Sequence, residues 1–186
     1  MNEGGLGKLY WGFLFILLSF RIMGFDILPD VVGHILFAIG LSKLTKHSHY
    51  FIKAVKYNYP MIILSLFSIY ELPVKDNNFN FDINNIYLLI ISIVSIILRL
   101  IIFYNLFMGI KEMAERQGKL DIAQESYAMW DQYKILQIGL ITSVVMILLP
   151  IIGVLYLLAI IIMSLVLVIK IMKFIKKCDE NFNTLG

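Results

Sequence analysis

The sequence predicts an all-α polytopic membrane protein, built as a bundle of six transmembrane helices. Of its 186 residues 60% are hydrophobic and 16% charged, whereas soluble domains carry roughly 25% charged residues. Mean hydropathy is +0.83, and long apolar runs alternate with short polar segments. This composition excludes a soluble globule, a disordered chain and a disulfide scaffold. The net charge of +3 is too small to indicate a nucleic-acid partner.

Six apolar segments are predicted to cross the membrane, because a spanning helix needs roughly 20 mainly apolar residues and about 17 at the least. The stretch Asp26–Asp30 separates the first two segments, Pro73 ends the third, and Pro150 divides the last two. The whole chain, 1–186, is then a single integral membrane domain. Its predicted spans are about 9–25, 27–44, 57–72, 86–110, 135–149 and 151–169, followed by a cytoplasmic tail, 170–186.

The positive residues predict the orientation, because cytoplasmic loops collect Lys and Arg. With six crossings and the amino terminus inside, thirteen Lys and Arg residues fall on the inner side and two on the outer side, with Arg99 in the membrane. A rival interpretation makes Asp26–Leu44 re-entrant and leaves five crossings, but it puts two Lys-rich loops on opposite faces. We therefore expect six crossings with both termini in the cytoplasm.

One inner loop carries a basic stripe. Lys46, His49, Lys53 and Lys56 follow an i, i+3, i+7, i+10 pattern, which places them on one helical face. Such a face is predicted to lie at the membrane surface, against the anionic headgroups of the inner leaflet. Ordinary positive-inside anchoring explains the same residues without a recognition role.

The fourth segment is predicted to continue as a helix beyond the membrane as far as Gln117. Opposite charges at i, i+4 spacing support its last turns, and Gly118 fits a helix stop. The two charged pairs are Lys111 with Glu115 and Glu112 with Arg116.

Glycines are frequent in the first 40 residues, where they occupy positions 4, 5, 7, 12, 24, 33 and 40. Small residues let helix backbones approach closely. The first two helices are therefore predicted to form a packing seam, either with each other or with a partner.

Arg99 is the clearest candidate functional residue. It lies in an otherwise apolar run, where an ionised side chain costs roughly 2.5–3.5 kcal/mol on insertion scales. Its side chain either extends toward the inner headgroups or faces the bundle interior, where it would pair with an acidic residue or an anionic ligand.

A second cluster of ionisable residues is predicted near the outer face. Asp26 and Asp30 favour the first turn of the second helix, where acids interact well with the helix dipole. The functional alternative is a small acidic pocket with His34 one turn deeper. The candidate ligand-binding residues are Arg99, Asp26, Asp30, His34 and Arg21.

No catalytic residue, metal site or cofactor is predicted. Two carboxylates four residues apart are too few ligands for a cation site, and Cys178 is the only cysteine. No zinc-protease motif, nucleophile elbow or phosphate-binding loop occurs.

The stretch Phe20–His34, with Phe25-Asp-Ile-Leu-Pro-Asp at its centre, resembles the opening of uncharacterised small multi-span membrane proteins of Gram-positive bacteria. That resemblance implies a multi-pass protein of the bacterial cytoplasmic membrane, and it implies no activity. In architecture alone, the six short spans are similar to the substrate-binding subunits of energy-coupling-factor vitamin importers. Those subunits carry an Ala-x-x-x-Ala pattern in the first helix, whereas Leu9–Phe25 contains no alanine.

The leading functional hypothesis is a non-enzymatic membrane subunit that binds or passes a small ligand, or supports a complex with other membrane subunits. The ligand would be captured from outside, with Arg99 as a buried anion partner. One alternative is a lipid-modifying enzyme that uses Asp26, Asp30 and His34. Another is a structural or immunity-type interaction protein.

Overall fold

The computed structural model describes residues 4–17, 21–22, 25–26, 30–67, 83–146 and 149–183. Within these ranges the chain forms six α-helices and one antiparallel pair of two-residue strands, so the all-α prediction is confirmed apart from that pair. The elements are α1 Gly5–Leu17, β1 Arg21–Ile22, β2 Phe25–Asp26, α2 Asp30–Leu44, α3 His49–Phe67, α4 Ile83–Arg116, α5 Leu120–Met146 and α6 Pro150–Asn183.

Two helices of the described chain are long and apolar enough to span a membrane, Ile90–Arg116 in α4 and Ile151–Phe182 in α6. Only 28% and 17% of their most apolar windows are buried, which is too little for core helices of a soluble protein. An apolar exposed surface of this kind indicates a membrane location. Six crossings remain a prediction.

The hydroxyl groups within the apolar helices also suit a membrane. Ser65, Ser143 and Ser164 each donate a hydrogen bond to the carbonyl three residues earlier, and Thr142 donates to the carbonyl four residues earlier. Polar groups satisfied within their own helix avoid the penalty of an unpaired group in hydrocarbon.

The first predicted segment differs from the structure. A continuous helix was expected over Leu9–Phe25, but α1 ends at Leu17 and Arg21–Ile22 pairs with Phe25–Asp26. Asp26 therefore lies in β2, and of the two aspartates only Asp30 occupies the first turn of α2. The difference arises because a short apolar run has no periodicity that separates a strand from a helix.

The helices pack in chain order, and α6 returns to contact α1. Four aromatic side chains form the centre of the core, which we call the aromatic core. The ring of Phe103 lies 5.1 Å from Phe13, 5.8 Å from Phe37 and 4.5 Å from Tyr133, centre to centre. Since these residues belong to α4, α1, α2 and α5, the aromatic core joins four helices.

Glycines bring α1 and α2 into backbone contact, as the sequence predicted for the first helical pair. Gly12 lies opposite Gly33 and Gly5 lies opposite Gly40. A Cβ built on Gly33 would be 3.0 Å from the Gly12 carbonyl oxygen, and one built on Gly40 would be 2.7 Å from that of Gly5. Both helices thus repeat glycine every seven residues along one seam.

Ion pairs and a glycine turn order the inner end of the bundle. The predicted pairs Lys111–Glu115 (3.7 Å) and Glu112–Arg116 both form. Gly118 takes a φ of 71°, which confirms the predicted helix stop. The segment predicted as a cytoplasmic tail continues α6 to Asn183, and Lys177 in this segment contacts Glu125 of α5 at 2.6 Å.

Candidate functional site

The site begins with an ion pair between α2 and α4. A nitrogen of the Arg99 guanidinium lies 3.7 Å from a carboxylate oxygen of Asp30, and the two side chains are 31% and 14% exposed. The sequence predicted that Arg99 pairs with an acidic residue, extends toward headgroups or binds an anion. The structure supplies an acidic partner, one of the candidate residues, and leaves the pair without net charge.

One turn further along α2, the buried His34 ring is held by Asn58 of α3. Asn58 Nδ2 donates to the His34 carbonyl oxygen at 2.6 Å, and Asn58 Oδ1 lies 2.8 Å from His34 Nδ1. A carbonyl oxygen only accepts hydrogen bonds, so this pairing fixes which way the amide points. Oδ1 must then receive a proton from Nδ1, and Nε2 of the neutral ring carries a free lone pair.

Three buried polar atoms at this place have no hydrogen-bond partner among the described residues: His34 Nε2, Arg99 Nε and the Tyr133 hydroxyl oxygen. His34 and Tyr133 are 1% and 2% exposed, and the Gln137 side chain lies near the Tyr133 hydroxyl. The charge of Arg99 acts on both rings. We call Asp30, His34, Asn58, Arg99 and Tyr133 the polar cluster.

The polar cluster offers an acceptor, a donor and a group that does both. His34 Nε2 accepts, the Nε–H of Arg99 donates, and the Tyr133 hydroxyl can do either. A buried polar atom left unpaired costs roughly 1–3 kcal/mol. Each of these three atoms therefore lowers the stability of the fold as long as it stays unpaired.

The contacts of the polar cluster join residues for which the sequence predicted different depths. His34 was expected near the outer face, whereas its partner Asn58 follows the basic segment that ends at Lys56, which was assigned to the inner side. Tyr133 likewise precedes Lys134, just before the predicted fifth span. The depth of the polar cluster in the membrane remains a prediction.

The other candidate residues have separate places. Arg21 and Asp26 are opposite each other in the β1–β2 pair, and their side chains lie outside what the structure describes. The basic stripe at Lys46, His49, Lys53 and Lys56 is exposed throughout. Among the described residues no group of three or more His, Cys, Asp or Glu side chains could hold a metal ion.

Sequence reasoning missed Asn58 and Tyr133. Asn58 is a strongly polar residue at the start of an apolar segment, and that position was a usable signal. Tyr133 carried no signal, because tyrosine is common at membrane interfaces and only the packing buries it.

No family model, curated protein or solved structure matches this chain. The class defined by the fold and the site is an all-α protein with membrane-compatible helices and an internal polar cluster.

Proposed function

We propose that this chain is a non-enzymatic integral membrane protein that binds a small polar ligand at the polar cluster. The observation that carries the proposal is the set of three buried, unpartnered polar atoms on α2, α4 and α5. A bound group with both a donor and an acceptor would satisfy His34 Nε2 and Arg99 Nε together. Because Asp30 already balances the charge of Arg99, a neutral polar group fits better than the anion expected from the sequence.

The enzyme alternative has less support. Asn58 already holds Nδ1 of His34, so His34 would act as a base through Nε2, but Nε2 has no hydrogen-bond partner among the described residues from which it could take a proton. Asp30 pairs with the Arg99 guanidinium and is therefore a poor ligand for a metal ion. These contacts favour binding over metal chemistry.

Replacement of Tyr133 by Phe tests ligand binding. We expect Tyr133→Phe to fold with unchanged or higher stability, because it removes an unpaired buried hydroxyl. It should lower ligand retention by about tenfold, which corresponds to the loss of one hydrogen bond. The measurement is the molar ratio of small molecules that mass spectrometry finds in protein purified from native membranes in mild detergent.

The matched control is Tyr156→Phe, because the Tyr156 hydroxyl donates to the Gly139 carbonyl oxygen at 3.0 Å. That variant should lose about 1 kcal/mol of stability and keep the ligand. A wild-type protein without any bound small molecule would refute the proposal. So would a Tyr133→Phe variant that retains as much ligand as the wild type.

The topology that best fits the polar cluster has four crossings, α3 to α6, with α1 and α2 as a hairpin entering from the cytoplasmic side. Two lengths support this arrangement. At 1.5 Å per residue, α1 and α2 are only about 20 and 22 Å long, against a hydrocarbon core of about 30 Å. Arg99 lies about 24 Å along the helix axis from the first residue of α4. Because Asp30 at the start of α2 pairs with Arg99, the start of α2 is equally far from that end of α4.

With this hairpin every Lys-rich loop lies on the cytoplasmic side. The four-crossing topology and the six-crossing topology therefore satisfy the positive-inside rule equally well. Both arrangements are multi-pass, and both put the termini in the cytoplasm. They differ only in where the chain between α1 and α2 lies.

Cysteine labelling distinguishes the two topologies. In a Cys178→Ala background, an impermeant maleimide is applied to intact cells that carry Asp26→Cys, with Asn77→Cys as the outer reference and Lys53→Cys as the inner one. The hairpin predicts that Asp26→Cys resists labelling from outside, as Lys53→Cys does. Labelling as rapid as that of Asn77→Cys would establish six crossings instead.

A further inference from the structure

A groove between α5 and α6 has apolar walls and a charged end. It encloses about 340 Å³, with Ile135 and Leu136 on one wall, Ile162 and Val166 on the other, and Gln132 and Lys170 at one end. The groove lies outside the polar cluster and is not used by the proposed ligand site.

The lysine at the groove end has only a neutral partner among the described residues. Lys170 Nζ donates to Gln132 Oε1 at 3.3 Å. Two lysines further along α6 differ from Lys170, because Lys176 pairs with Glu180 at 3.9 Å and Lys177 pairs with Glu125 at 2.6 Å. A cation at the mouth of an apolar groove is complementary to a molecule with an anionic head and a hydrocarbon chain.

The dimensions of the groove suit one acyl chain. Ile162 and Lys170 are eight residues apart on α6, which corresponds to about 12 Å along the helix axis. One leaflet contributes about 15 Å, half of the hydrocarbon core. A chain whose headgroup meets Lys170 would therefore lie along the groove within the cytoplasmic leaflet.

We infer that this groove binds an anionic phospholipid of the inner leaflet, with one acyl chain between α5 and α6 and the phosphate at Lys170. The inference rests on the membrane embedding proposed above, but not on the polar-cluster ligand. Unchanged ligand retention in Tyr133→Phe would therefore not count against the phospholipid site.

Native mass spectrometry of protein released from vesicles tests the inference. The vesicles contain equal parts of dioleoylphosphatidylglycerol and dioleoylphosphatidylcholine. Wild-type protein should retain one phospholipid, with phosphatidylglycerol preferred. Lys170→Gln should reduce that preference about fivefold, as expected for one lysine near an anionic headgroup, and Val166→Trp should abolish retention by filling the groove.

The control is Lys176→Gln, which removes a cation that already has an acidic partner and should leave the lipid preference unchanged. The inference is overturned if wild-type protein retains no phospholipid, or if Lys170→Gln keeps the wild-type preference. Equal losses in Lys170→Gln and Lys176→Gln would also overturn it, since they would indicate general surface charge. Lys170 is exposed, so its variant should fold even if Val166→Trp does not.

Discussion

Asp30→Asn should destabilise the protein by about 3 kcal/mol. The substitution leaves the guanidinium of Arg99 partly buried without its carboxylate partner, and breaking such a pair costs more than the pair itself contributes. Asn is chosen because it remains a good residue at a helix start, so the loss reports the charge and not the cap. The measurement is the free energy of unfolding in detergent micelles.

A double-mutant cycle provides the control for this prediction. Arg99→Met alone should also destabilise, because it leaves the Asp30 carboxylate unpaired. The double variant should recover at least half of the combined loss, since neither charge then remains. If the two single losses simply add, the two side chains do not interact, and the ion pair does not hold α2 against α4.

Gly12→Ala is the second substitution with a large expected effect, a net loss of about 2 kcal/mol. A Cβ at this position would lie 2.5 Å from Cδ2 of Phe37 and 3.0 Å from the Gly33 carbonyl oxygen. The Phe37 ring is fully buried beside Phe13 and Phe103, so it cannot move away. Overpacking of this kind typically costs about 1–3 kcal/mol.

Gly7→Ala is the matched control in the same helix. Its Cβ would meet only Asp179 Oδ2, at 3.8 Å, which is ordinary contact. Since alanine is a better helix former than glycine by about 1 kcal/mol, this variant should be as stable as the wild type or more so. Thermal unfolding of both variants in the same detergent gives the comparison. Equal stabilities would show that α1 and α2 do not pack along the glycine seam.

The glycine seam also shows which part of the helix packing could be predicted from the sequence. The density of glycines predicted close packing of the first two helices. It did not identify the partners, because the seven-residue repeat becomes a seam only when α2 runs antiparallel to α1. The pairing of Gly12 with Gly33 and of Gly5 with Gly40 is a property of that arrangement.

The residues of the polar cluster likewise fall into two groups, those that the sequence predicted and those that only the structure identified. Arg99, Asp30 and His34 were candidates from the sequence, because ionisable residues are costly in apolar segments. Asn58 could have been singled out by its position at the start of an apolar segment, whereas Tyr133 is unremarkable until packing buries it. The outer position expected for His34 followed from two full-length spans and remains a prediction.

By itself the sequence determined the all-α class and the membrane-compatible apolar surface. It also predicted the charged pairs and the glycine stop at the end of α4, and it identified Arg99 and Asp30 as candidate functional residues. These features follow from composition and from spacing within one helix. Only the tertiary structure decided that Arg99 meets Asp30, that Asn58 orients His34 and that α1 ends at Leu17. Contacts between helices depend on which faces meet and at what depth, and neither quantity is encoded in the periodicity of a single segment.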